Sequence, residues 1–274
     1  MNHTPRKRFA QHFLVDQHYI RRIIEAIRPQ RHEVIVEIGP GLGAMTTPLL
    51  EALNHLHVVE IDRDIVALLE TRYPRDKLTI HSADALQFDF GKLGTGLRLV
   101  GNLPYNISSA LLFHLVQFSQ HIVDLTFMLQ KEVVNRMVAA PSSSDYGRLS
   151  VMLQYRFAME RLFVVPPGAF RPPPKVDSAI VRMTPLGAQS LRPKDEECFA
   201  QVVAAGFSQR RKTIRNTLRK WLSEADFASL AIDPSLRAEN LSVVSFIGIA
   251  DFVALKSASA MKHNQGQSAV TIPS

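Results

Sequence analysis

Two hydrophobic periods alternate along this chain, and that alternation limits its fold more than any other feature. "VIVEIG" (34–39), "LHVVEI" (56–61), "LTIHS" (78–82), "LRLVGN" (97–102) and "DLTFMLQ" (124–130) are short apolar runs of strand type. Segments 44–53, 63–72, 108–118 and 131–139 repeat apolar residues at helical spacing. Strands buried on both faces and joined through helices must run parallel, with helices on both sides of the sheet. Asp16 can cap a further helix that puts Ile20, Ile23, Ile24 and Ile27 on one face. Strands near 161–165 and 177–184 flank the Pro-rich "PPGAFRPPPK" and can pair antiparallel at the edge. The fold class expected is α/β: a mostly parallel sheet with an antiparallel edge hairpin.

Beyond Pro185 helical periodicity takes over, in 196–208, 210–222, 225–230 and 242–255. The reading is a catalytic α/β domain over 1–186, a small all-helical domain over 187–256 and a disordered tail over 257–274. "APSSSDYG" (140–147) reads as a polar loop. Hydrophobic residues make up 46% of the 274, enough for a large core. The apolar segment 243–255 is short and interrupted by Ser245 and Asp251, so it is not read as a membrane span. Cys198 is the only cysteine, which fits a reducing compartment, and "MNHTPRKRFAQHFLVDQ" has no apolar stretch of signal-peptide type. A soluble cytoplasmic protein is expected. The net charge of +7 suits a polyanionic partner, RNA or DNA, and equally a solvated basic surface.

"EIGPGLGAMT" ends a strand and opens a helix. Gly39, Gly41 and Gly43 allow a ligand close to the backbone, and a helix N-terminus favours negative charge. Glu60 ends the next strand, roughly 20 residues after the first glycine, where a carboxylate can accept from both hydroxyls of a ribose. Two cofactor classes fit. Gly39-x-Gly41-x-x-Ala44 satisfies the dinucleotide fingerprint. Gly39-x-Gly41-x-Gly43 equally resembles the glycine loop of S-adenosylmethionine (SAM) methyltransferases. A tight turn without a ligand is the bland alternative. Asp84, after the third strand, can accept from an adenine amino group or merely cap a turn; beside Glu60 it favours the adenosine half of SAM.

"GNLPY" (101–105) leaves the fourth strand where open α/β sheets bind ligands. It resembles the Asn/Asp-Pro-Pro-Tyr motif of enzymes that methylate exocyclic amino groups. The adenine N6 is a poor nucleophile because its lone pair is shared with the ring. If the Asn102 side-chain oxygen and the Leu103 carbonyl each accept one N–H, the nitrogen can pyramidalise and release that pair. Positioning and oriented dipoles then suffice, without a strong base. Beyond Pro104, Tyr105 offers a ring for a flipped base, worth about 1–3 kcal/mol. Phe170, in a loop stiffened by prolines, is the candidate second ring, with a packed core position as its alternative. Two successive methylations would further require spare volume beside Asn102.

These motifs belong to a pattern that runs nearly end to end: "KRFAQHFL" (7–14), "EIGPGLG" (37–43), "VVEIDRD" (58–64), "GNLPYNIS" (101–108), "FMLQKEVVNR" (127–136), "YGRLSV" (146–151), "FRPPPKVDSAIVR" (170–182), "RRKTIRNTL" (210–218) and "RAENLS" (237–242). Together, in this order, they resemble the KsgA family of bacterial small-subunit rRNA adenine dimethyltransferases. The resemblance implies a Rossmann-like catalytic domain followed by a small helical domain. It also implies SAM as cofactor and N6-dimethylation of two adjacent adenosines near the 3′ end of 16S rRNA in an immature small subunit. Cofactor contacts carried over are His12, Leu14, Gly39, Glu60, Asp84 and Asn102, with Gly41 from the glycine turn; no metal is implied. Position 12 is Asn in some relatives.

For RNA, the basic start Arg6, Lys7 and Arg8 is one candidate contact. "FSQRRKTIRNTLRKWL" is another. Read as one amphipathic helix, it puts Phe207, Ile214, Leu218 and Trp221 on the apolar face and clusters Lys212, Arg215 and Arg219 beside it. A monomer is expected. The competing readings are a large-subunit rRNA methyltransferase, a nicotinamide-dependent oxidoreductase on the same glycine turn, a DNA adenine methyltransferase, and a non-enzymatic assembly factor. The oxidoreductase leaves "NLPY" without a purpose.

Overall fold

Asp16 does cap the first long helix: its side chain accepts from the His18 N–H at 2.8 Å. The computed structural model describes residues 12–187 and 189–267. In chain order the first elements are Phe13–Leu14 (β1), Gln17–Ile27 (α1), Val34–Ile38 (β2), Thr46–Ala52 (α2), Leu56–Glu60 (β3), Arg63–Arg72 (α3), Leu78–Ser82 (β4), Leu97–Asn102 (β5), Ser108–Val116 (α4), Ile122–Gln130 (β6) and Lys131–Val138 (α5). Phe157–Val165 (β7), Phe170–Arg171 (β8) and Ser178–Pro185 (β9) follow. The helix expected from residue 44 starts at Thr46, after a turn that includes the positive-φ Gly43.

Seven strands form one sheet in the order β4-β3-β2-β5-β6-β9-β7. The first five are parallel; β9 runs antiparallel to β6, and β7 antiparallel to β9. The sheet is Rossmann-like, α/β with an antiparallel edge as expected. Strand order reverses between β2 and β5, which opens a crevice at their carboxyl ends. Register puts Ile35, Val58, Val100, Met128 and Ile180 on one face, where α1, α2 and α3 bury Ile23, Leu49 and Leu69 against them. Glu37, Glu60 and Asn102 emerge on that same face. A second, two-stranded sheet pairs β1 with β8.

The chain divides into two units: Met1–Val138 with Arg156–Leu186, and Ala139–Tyr155 with Gly187–Ser274. This corrects the contiguous 1–186 domain, because 139–155 belongs with the second unit. The physical cause lies in Arg148–Gln154 (α6), which packs on Glu196–Gly206 (α7) and is followed by a Tyr155 ring 4.9 Å from Phe199. The second unit continues with Ile214–Thr217 (α8), Glu224–Ser229 (α9) and Val243–Gln267 (α10), and α10 packs along α7. Two further expectations fail here. The helix over 210–222 does not form. Thr213 is extended and bridges Arg237, and the Ile214 N–H donates to the Leu236 carbonyl, so only α8 is helical. The tail expected from 257 to 274 to be disordered continues α10 to Gln267, consistent with the helix-forming Ala, Met and Lys at 258–262, and its last part, 268–274, lies outside the described residues. Among the described residues no helix is long and apolar enough to cross a membrane.

Candidate active site

The crevice at the carboxyl ends of β2, β3 and β5 is a cleft of about 390 Å³, within the usual range for a small-molecule site. Its floor is the glycine turn. Gly39, Gly41 and Gly43 all have positive φ, at +67°, +54° and +85°. At Gly43 a Cβ would lie 2.5 Å from the Tyr73 hydroxyl. Gly101, just before the Asn, lets β5 close on β2, since a Cβ there would sit 2.5 Å from the Ile38 carbonyl oxygen. Arg72 donates to the Leu42 carbonyl at 2.6 Å and braces the turn from outside.

Three carboxyl groups face the cleft, and no Lys or Arg among the described residues lines it. Glu60 ends β3 and accepts from the Asp62 N–H at 2.8 Å; burial nevertheless raises its pKa, against the lowering effect of main-chain donors that include Gly41. Asp84 accepts from the Leu86 N–H at 2.9 Å, so it caps a turn and lines the cleft at once. Glu37, which the sequence reading passed over, is only 1% exposed. Burial pushes its pKa up to about 7, while the hydrogen bond from Thr46 (2.6 Å) pulls it down and the nearby Glu60 pushes it further up. Its signal was a lone acid inside the otherwise apolar strand "VIVEI". Ile61 was passed over too; it lines the same wall with 48% of its surface exposed.

Asn102, Leu103, Pro104 and Tyr105 form the facing wall. The Leu103 N–H donates to the Met128 carbonyl at 3.1 Å, which ties the motif to β6. Asn102 Nδ2 donates to the His12 carbonyl at 3.0 Å. A main-chain carbonyl only accepts, so the amide nitrogen must face it and Oδ1 must point the other way. Neither Asn102 Oδ1 nor the Leu103 carbonyl accepts a hydrogen bond from any described residue. His12 and Leu14, both assigned to the cofactor by resemblance, also line the cleft. The His12 ring stacks on Tyr105 at 5.8 Å and 27°, and its Nδ1 donates to the Pro172 carbonyl at 2.8 Å.

Phe170 is not available as the second ring. It is fully buried in the core, because β8 pairs with β1 and sets Phe170 opposite Leu14. The ring that faces Tyr105 belongs to His12. Arg6, Lys7 and Arg8 lie outside the described residues. In the second unit Lys212, Arg215 and Arg219 are exposed, but they do not share a helix face, and Arg215 is paired with Glu224 at 2.7 Å.

Comparison with known proteins agrees with this geometry. Residues 2–255 match the family model for ribosomal RNA adenine dimethylase. A ribosomal RNA small subunit methyltransferase A from Aromatoleum aromaticum is 63% identical, over 94% of this chain and 98% of its own. One from Nitrosospira multiformis is 60% identical, over 92% and 97%. Among solved structures, a dimethyladenosine transferase from Plasmodium falciparum superposes with a TM-score of 0.74 at 25% identity, covering 87% of this chain and 96% of that one. The 23S rRNA methyltransferase ErmE gives 0.67 at 25% identity, over 88% and 99%. The chain therefore belongs to the ribosomal RNA adenine dimethylase family, in its small-subunit KsgA branch.

Proposed function

We propose that this enzyme uses SAM to dimethylate N6 of two adjacent adenosines near the 3′ end of 16S rRNA. The observation that carries the reading is the Asn102 amide: its nitrogen is held by the His12 carbonyl and its oxygen is left for the cleft. The cleft's charge also separates SAM from a dinucleotide. A pyrophosphate would meet three carboxyl groups and no described cation, whereas a sulfonium with an ammonium suits that wall. When bound, SAM supplies an activated methyl group. Glu60 and Asp84 are placed to hold its ribose and adenine, and the positive-φ turn leaves room for them.

The chain's own part in the reaction is orientation. Asn102 Oδ1 and the Leu103 carbonyl accept the two N6 hydrogens and draw the nitrogen out of conjugation. Tyr105 holds the plane of the extruded base. Each transfer breaks the bond from the methyl carbon to the sulfonium and leaves the nitrogen cationic, and the nitrogen then releases one proton to water. After the first such round one N–H remains, and one acceptor is enough to keep the lone pair aimed. We place the enzyme in the cytoplasm, acting as a monomer on an immature small subunit. Lys212 and Arg219 contact phosphate there, and Arg215 contributes less because Glu224 already holds it. Replacing Lys212 and Arg219 with Ala should weaken RNA binding and flatten its dependence on salt; an unchanged salt slope would remove both from the interface.

The test is to combine the protein with labelled SAM and small subunits that lack the modification, then digest the RNA. The expected nucleoside is N6,N6-dimethyladenosine. Label that stalls at monomethyladenosine, or that fails to enter the small-subunit RNA, would refute the reading.

A further inference from the structure

The Tyr105 ring is fixed at both ends. At the backbone end, the Ser108 hydroxyl donates to the Tyr105 carbonyl at 3.1 Å, and the Leu103 N–H is tied to β6. At the far end, the phenol shares a 2.8 Å hydrogen bond with the Ser178 hydroxyl.

Ser178 is an unusual residue for its place. It opens β9, paired with Gln130 of β6 on one side and Val165 of β7 on the other. It is fully buried, and so are Val165, Ala179, Ile180 and Val181 around it. Alanine would fill such a position as well, and a hydroxyl withdrawn from water needs a partner. The partner here is Tyr105. Ser178 meets the ring at its hydroxyl end and does not line the cleft, whereas Tyr105 does. Its segment is also anchored. The Lys131 N–H donates to the Asp177 carbonyl at 3.0 Å, and the Lys131 ammonium pairs with the Asp177 carboxylate at 3.1 Å. A phenol held at Cβ and at its oxygen has a fixed long axis, and the His12 ring stacked on it at 5.8 Å and 27° opposes rotation about that axis, so the face offered for stacking is set.

We infer that Ser178 is a positioning residue for methyl transfer: its hydroxyl sets the Tyr105 ring as the wall on which the extruded base stacks. This rests on the proposed role of Tyr105 as that wall. The bond has only two ends, so Ser178→Ala and Tyr105→Phe should do the same damage.

The experiment measures single-turnover methylation of unmodified small subunits by Ser178→Ala, Tyr105→Phe, the double variant and Tyr105→Ala, with SAM binding and thermal melting measured alongside. Each single variant should lower kcat/KM for RNA roughly tenfold, with SAM affinity unchanged, and the double variant should fall no further. Tyr105→Phe removes no core side chain but leaves the buried Ser178 hydroxyl unpartnered; thermal melting separates that cost from a lost rate, so it carries the test even if Ser178→Ala folds poorly. Additive losses in the double variant would overturn the inference. So would wild-type rates in Ser178→Ala and Tyr105→Phe beside a large loss in Tyr105→Ala, and the role of Tyr105 would then stand. Wild-type turnover in Tyr105→Ala would refute that role, and the inference with it.

Discussion

At the amino end of β5, Arg98 is matched on every side. Its guanidinium is bidentate to Asp124 at 2.8 and 2.7 Å, meets Glu33 at 2.7 Å and donates to the Ile27 carbonyl at 2.7 Å. Its hydrogen bonds to the Asp124 carboxylate are the largest cause of its raised pKa. At the carboxyl end of the same strand, Asn102 has its nitrogen satisfied and its oxygen open, above a buried Glu37 that has Thr46 as its hydrogen-bond donor. One end is fully hydrogen-bonded and closed. The other keeps acceptors without partners and a carboxyl group at the edge of ionisation. Unmatched polarity is costly in a protein interior, so acceptors left open along the crevice mark a place where a ligand completes them.

The comparison can be broken at either end. The largest effect expected is on Asn102→Ala. Turnover should fall about 10³-fold, roughly 4 kcal/mol, as when a single oriented dipole is removed from a transition state. Urea unfolding of the same variant should change by no more than about 1 kcal/mol. Arg98→Met should show the reverse. It leaves Asp124 and Glu33 without their cation and should destabilise the first unit by about 3 kcal/mol, read from urea unfolding, with turnover per folded molecule retained. Glu37→Gln should give the smallest and most pH-dependent change. The folded-state pKa of Glu37 is raised to about 7 from 4.5, so its favourable contribution is complete below pH 4.5 and is lost as pH rises through 7. The glutamine variant lacks that loss. Unfolding curves for the two proteins without ligand should coincide below pH 4.5 and separate between 4.5 and 7. Above pH 7 the variant should be more stable by no more than about 3 kcal/mol.

Much of this was legible in the residues. The parallel strands announced themselves as apolar runs, and the glycine turn and Asn102–Tyr105 fall in the cleft because such sheets bind at their carboxyl ends. What was not legible depended on groups that carry no residue signal or on tertiary pairing. The His12 carbonyl that orients Asn102 is main chain, so no side chain advertises it. β1 and β8 are two residues each, too short for a period, yet their pairing buries Phe170. The spacing over 210–222 is helical, but the extended bridge at Thr213 overrides it. Segment 140–147 reads as a simple polar loop, although Tyr146 within it is buried and donates its hydroxyl to the Leu241 carbonyl at 3.0 Å.

The most direct measurement is a structure of the enzyme with a non-reactive SAM analogue and an RNA that presents the target adenosine. The account predicts Asn102 Oδ1 about 3 Å from the adenine N6, with Nδ2 still on the His12 carbonyl. An Asn102 whose Nδ2 faces the amine, or whose side chain has swung away from it, would contradict the account.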